Sequence, residues 1–183
     1  LQNPETVLTE AQRERLEEAS TADEPVFIIT PDEARANERR GTRSTMTLEF
    51  HAENVRDFAW ATSRKFIWDA VGVEQDGGGQ APDRVMAMSF YPNEAEPLWS
   101  TYSTRAIEHT IDVYNEFSFP YPYPTAQSIS GPQGGMEYPM ITFNGASYGR
   151  PVIGEDGELT YSRRAKFGLI GVIIHEIGHI YFP

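Results

Sequence analysis

The sequence contains no cysteine, which excludes disulfides and thiolate metal sites and leaves the redox compartment open. It also lacks any apolar run near the roughly 20 residues needed to span a bilayer. The most apolar stretch, residues 167–174, is short and interrupted by Gly168 and Gly171. Positive charge is scarce: 15 Lys and Arg against 27 Asp and Glu give a net charge of −12, which disfavours a nucleic-acid phosphate backbone as partner. Arg39, Arg40, Arg43, Arg163 and Arg164 are scattered and read as solvated surface. Neither an initiator Met nor a signal-peptide pattern opens the chain at Leu1. The chain stops at Pro183, within a turn of the candidate metal site described below. The expectation is an internal fragment of a longer protein, with localisation open, a periplasmic or secreted one included.

What is present supports a folded core. The 183 residues are 39% hydrophobic and 12% aromatic, enough for one ordinary domain or for pieces of two. Thr9 and Gln12 form a capping box for a helix over 9–19, and Thr30-Pro31-Asp32-Glu33 opens a second helix that Gly41 ends. Between them, Val26-Phe27-Ile28-Ile29 reads as a short buried strand. Strands are also expected over 46–50, 57–61, 66–68, 85–91 and 136–143. Gly77-Gly78-Gly79-Gln80-Ala81-Pro82 is the clearest punctuation, either a hairpin tip or a domain linker. A long helix is expected over 98–117, carried by Trp99, Tyr102, Ala106, Thr110, Val113 and Phe117 at three- and four-residue steps. Tyr121-Pro122-Tyr123-Pro124 must be extended, because proline excludes helix for the residue before it. A last helix opens near Ser162 and runs to the chain end.

That last helix contains His175-Glu176-Ile177-Gly178-His179. Residues four apart sit one turn above each other, so His175 and His179 can bring two imidazoles to one zinc ion. Glu176 lies beside the first histidine, where its carboxylate can take a proton from the attacking water. Ile170, Val172, Ile173, Ile174, Ile177 and Ile180 would bury the helix. Two histidines and a glutamate in such surroundings are costly unless paired or metal-bound. The bland alternative is two structural histidines four apart by chance. His51 and His109 read as structural or exposed. Two histidines leave a tetrahedral ion short of a third protein ligand, and nothing else in the sequence marks one.

Thirty-eight positions before His175 stands Glu137, in Gly134-Gly135-Met136-Glu137-Tyr138-Pro139. Alone this is a glycine-rich loop leading into an edge strand. With the metal helix, it resembles the aminopeptidase N-type gluzincin metallopeptidases, which include the bifunctional leukotriene-epoxide hydrolases. That family carries a Gly-x-Met-Glu-Asn loop a few tens of residues before its His-Glu-x-x-His helix. Tyr121-Pro122-Tyr123-Pro124 is similar to the family's Tyr/Pro-rich segment. Asn54-Val55-Arg56-Asp57-Phe58-Ala59-Trp60-Ala61 resembles the closing strand of its N-terminal β domain. The likeness covers most of residues 45–183.

The resemblance implies an α+β fold: residues 1–80 as the end of a β-rich N-terminal domain with inserted helices, and 83–183 as the first part of a thermolysin-like α/β catalytic domain. It implies a zinc cofactor held by His175 and His179, with Glu176 as general base. Glu137 would bind the free α-amino group of a peptide substrate, and Gly134 and Gly135 would present backbone groups to its main chain. The family's third ligand, a Glu, and its oxyanion-stabilising Tyr fall beyond Pro183, so weak zinc binding and no useful turnover are expected of this chain alone. Tyr138, where Asn is usual, and Ile180-Tyr181-Phe182-Pro183, where Gln-Trp-Phe-Gly is commoner, suggest a divergent bacterial-type branch. Rival readings are a thermolysin-type endopeptidase, epoxide hydrolysis on the same zinc centre, and a non-catalytic interaction module.

Overall fold

The computed structural model describes residues 1–41, 44–145 and 152–182; Arg43 and Pro183 lie outside them. The chain forms a mixed α+β fold. Its elements run α1 (Pro4–Val7), α2 (Glu10–Ala19), β1 (Val26–Ile29), α3 (Pro31–Arg39), β2 (Phe66–Glu74), β3 (Arg84–Pro92), α4 (Leu98–Phe117), β4 (Thr125–Ile129), β5 (Met136–Tyr138), β6 (Ile141–Phe143), β7 (Val152–Ile153), β8 (Leu159–Thr160) and α5 (Arg163–Tyr181). Both capping boxes form. The Thr9 and Thr30 hydroxyls accept from the Gln12 and Glu33 amides, and those side chains accept the cap amides in return.

Six strands make one sheet in the order β1-β2-β3-β4-β6-β5. Pairing is antiparallel except for β3 with β4 and β4 with β6. The parallel step from β3 to β4 is bridged by α4, since parallel neighbours need a crossover. The Gly77–Pro82 run is the tip of the β2–β3 hairpin, so the strands on either side belong to one sheet. Alternation sorts the side chains of β2 and β3 to two faces. Ile67, Val71, Val73, Val85, Ala87 and Tyr91 meet α4 and α5 in the main core. Trp68, Ala70, Met86, Met88 and Phe90 face α2 and β1 in a smaller one.

Several expectations need correction. Residues 46–50 and 57–61 form no strand. Their alternating Met46, Leu48, Phe50, Phe58 and Trp60 are all exposed, because no sheet face lies against them. Among the described residues, backbone pairing there comes from residue 2, whose amide donates to the Glu49 carbonyl at 2.7 Å, with Asn3 bonding Thr47 and Glu49 through its side chain. The single strand expected over 136–143 is instead a tight hairpin, broken at Pro139 and Met140. Met140 takes φ +66, the sign that a type II turn with proline at its first central position requires of the second. Of the stripe expected on α4, Trp99, Ala106 and Thr110 are buried and Tyr102 packs against the core, but Phe117 is exposed, and Ser103 and Thr104 are buried as well.

Ser103 and Thr104 belong to a chain of polar side chains in the core. The Thr104 and Tyr91 hydroxyls both donate to the Asp69 carboxylate. Thr104 also contacts Ser89 Oγ at 2.7 Å, Ser89 contacts Ser103 at 2.7 Å, and Ser103 contacts Ser128 at 3.1 Å. Asn144 donates to Ser128 at 2.9 Å and to Thr142 at 3.0 Å. The network crosses β2, β3, β4 and β6 beneath α4 and ends on Thr142, the cross-strand partner of Glu137. Buried polar groups are tolerated when bonded to one another in this way.

Candidate active site

Helix α5 presents the two histidines because of where its apolar residues fall. Leu169, Ile173, Ile177 and Tyr181 recur every four residues and are buried in the main core. Gly178 adds close packing: a Cβ there would lie 3.1 Å from the Tyr114 hydroxyl of α4. His175 and His179 each sit two positions beyond a buried isoleucine, which turns them away from α4. His175 is exposed, His179 half-buried and Glu176 buried, at 5% relative exposure. Of the isoleucines and valine expected to bury this helix, Ile173 and Ile177 do so fully; Val172 and Ile174 are half-buried, and Ile170 and Ile180 pack at the core's margin.

The imidazoles converge. Their Nε2 atoms lie 3.1 Å apart and their rings are nearly perpendicular, at 87°. Two nitrogens bound tetrahedrally to one zinc at ~2.0–2.1 Å would be ~3.3 Å apart, so the pair fits that ion. The other nitrogen of His179, Nδ1, is 3.3 Å from the Phe182 carbonyl oxygen. A carbonyl only accepts, so this contact keeps the proton on Nδ1 and the lone pair on Nε2, as a metal ligand requires.

Glu137 comes from the opposite side. It stands in the middle of β5, the edge strand next to which α5 packs. Ligand atoms of Glu137, Glu176 and His179 all lie within 4.8 Å of one another. His175 is outside that group, its Nε2 lying 3.1 Å from His179 Nε2. Burial pushes the Glu176 carboxyl above the ordinary carboxylate range; His175 opposes the push, Glu137 reinforces it and His179 opposes it. Glu137, Glu176 and His179 are thus brought together as a group that could hold a metal ion, with His175 beside His179.

The two glycines separate in character. Gly134 is open, with nothing within 4 Å of where a Cβ would stand, whereas Gly135 lies directly against Glu176. Nothing in the sequence signals that contact, since it joins positions 41 apart. His51 is exposed and 3.7 Å from Glu53, and His109 is exposed on α4; both are remote from this donor set by element. Among the described residues, no helix is long and apolar enough to cross a membrane. No protein-family model matches the chain, and no curated protein matches it in sequence.

Proposed function

We propose that this chain carries part of the catalytic centre of a zinc-dependent aminopeptidase of the aminopeptidase N-type gluzincin family. The observation that supports it best is the approach of Glu137 to Glu176 and His179, from strand β5, 38 positions before His175. A helix with two histidines and a glutamate serves many zinc peptidases. A second carboxylate on the neighbouring edge strand is what an exopeptidase needs.

In this reading His175 and His179 hold the zinc ion through Nε2. The metal, when bound, lowers the pKa of the attacking water and polarises the scissile carbonyl. Glu176 takes the proton from that water as its oxygen attacks the carbonyl carbon, and delivers it to the amine nitrogen as the C–N bond breaks. Its raised affinity for a proton suits both halves of that exchange. Glu137 pairs with the substrate's α-ammonium, so only the first residue of a peptide can be placed across the centre. The division into the end of a β-rich unit and the start of a thermolysin-like unit belongs to the same proposal.

Peptides with free and N-acetylated termini separate this from the endopeptidase reading. Acetylation is expected to remove cleavage. Glu137→Gln is expected to lower kcat/KM for free peptides by roughly 10- to 100-fold, the worth of one charge-assisted hydrogen bond. Cleavage indifferent to acetylation would assign an endopeptidase instead.

A further inference from the structure

We propose that Asn115 is a positioning residue for His179: by holding the Tyr181 hydroxyl it fixes the last turn of α5, and with it the Phe182 carbonyl that selects the His179 tautomer. Tyr181 ends α5 two positions after His179 and is 4% exposed. Its hydroxyl donates to Asn115 Oδ1 on α4 at 2.8 Å. Its ring lies against Tyr114, Phe119 and Tyr121, with centroids 5.1, 5.4 and 5.8 Å away. Asparagine is a poor helix former, so its presence inside α4 points to a use of its amide.

That amide has one orientation. Asn115 Oδ1 also accepts from the Tyr121 backbone N–H at 2.9 Å, and Nδ2 donates to Gln75 Oε1 at 2.8 Å. Gln75 is pinned in turn: its Oε1 accepts from the Tyr121 N–H at 2.9 Å, and its Nε2 donates to the carbonyls of Pro82 and Tyr121. A backbone N–H only donates and a carbonyl only accepts, so neither amide is free to flip. Tyr181 is thus moored to α4, to the β2–β3 hairpin and to the extended segment after α4. Phe182 then leaves the helix, with φ −134 and ψ 81. A helical carbonyl points onward along the axis, and this departure lets the Phe182 carbonyl turn back to His179 Nδ1, 3.3 Å away. Tyr181 stands where the family it resembles more commonly has Trp, so the clamp is a feature of this chain. The consequence for a metal rests on His179 as a zinc ligand; the tautomer claim does not.

The test is the pair of side-chain 15N resonances of His179 in the 183-residue chain, with its imidazoles neutral, compared among the parent, Tyr181→Phe and Asn115→Leu. Tyr181→Phe removes one oxygen and keeps the ring packing. Asn115→Leu removes the acceptor at similar volume and leaves the Tyr121 N–H its bond to Gln75. The parent is expected to show Nδ1 protonated and Nε2 bare. Each variant is expected to bring Nε2 protonation into the population, and the double variant to go no further than Asn115→Leu. In the natural protein, Tyr181→Phe is expected to weaken zinc binding by about tenfold. His179 resonances unchanged in both single variants overturn the proposal. So does an equal change at His109, exposed on α4, because the effect would then belong to that helix as a whole. Changed His179 resonances in a protein that binds no zinc keep the clamp and remove only the metal reading. If Asn115→Leu does not fold, Tyr181→Phe alone decides.

Discussion

Glu176→Gln is expected to lower kcat by about 10²- to 10⁴-fold, the usual worth of a positioned general base, while zinc binding and folding persist. Glutamine keeps the length and shape of the side chain, so it fits the space the glutamate fills beside Gly135. It cannot accept the water proton. The histidines belong to the same helix but are untouched by the change, and α5 is held by Leu169, Ile173 and Ile177 on its other side. Steady-state kinetics with metal analysis on the same sample checks this. A kcat within tenfold of the parent, with zinc retained, would assign the proton transfer to another group. Glu137→Gln should behave differently, since binding of the α-ammonium is felt in the ground state as well as in the transition state.

The second large effect is on stability and needs no substrate. Asp69 is 2% exposed, and burial pushes its carboxyl up to about 7, against the pull of the Thr104 and Tyr91 hydroxyls and with help from Glu96. In the unfolded chain it titrates near its ordinary value of 3.8. Between those values the folded protein holds a proton that the unfolded chain has released. Stability from this group is therefore full below about pH 4, and falls by roughly 4 kcal/mol as pH rises through 7. Glu33 acts in the opposite sense at lower pH. Burial raises it, but Arg15 and the Thr30 amide overcome that and hold it down to about 2, so its contribution is lost as pH falls from about 4.5 toward 2. Urea unfolding across this range should show greatest stability near pH 4–5. Asp69→Asn should flatten the decline toward neutral pH; a decline that survives that substitution would place its origin elsewhere.

Both effects come from contacts of very different legibility in the sequence. The helices α2, α3 and α5 are announced by local chemistry, each with a side-chain N-cap at Thr9, Thr30 or Ser162. The hairpin at Gly77–Pro82 is announced by its glycines, two of which take positive φ. The strands expected at 46–50 and 57–61 mislead because alternation marks a surface to be covered, and only a partner strand turns it into a sheet. The strand β4, Thr125–Ile129, is not legible in the sequence because Thr-Ala-Gln-Ser-Ile owes its burial to α4 and to two neighbouring strands. The network from Asp69 to Asn144 is equally hidden, as serine and threonine in a helix usually signal solvent. At the site, the four-residue spacing of His175 and His179 could be read directly, and Glu137 only through a family resemblance. The closeness of Gly135 to Glu176 joins positions 41 apart, which no local pattern encodes.

The central claim is a zinc centre on α5, and metal analysis of the natural protein tests it most directly. One zinc per molecule is predicted, lost in both His175→Ala and His179→Ala, with peptide hydrolysis abolished by chelation and restored by zinc. Absence of zinc from the active protein, or zinc retained undiminished after both histidines are replaced, would contradict the account.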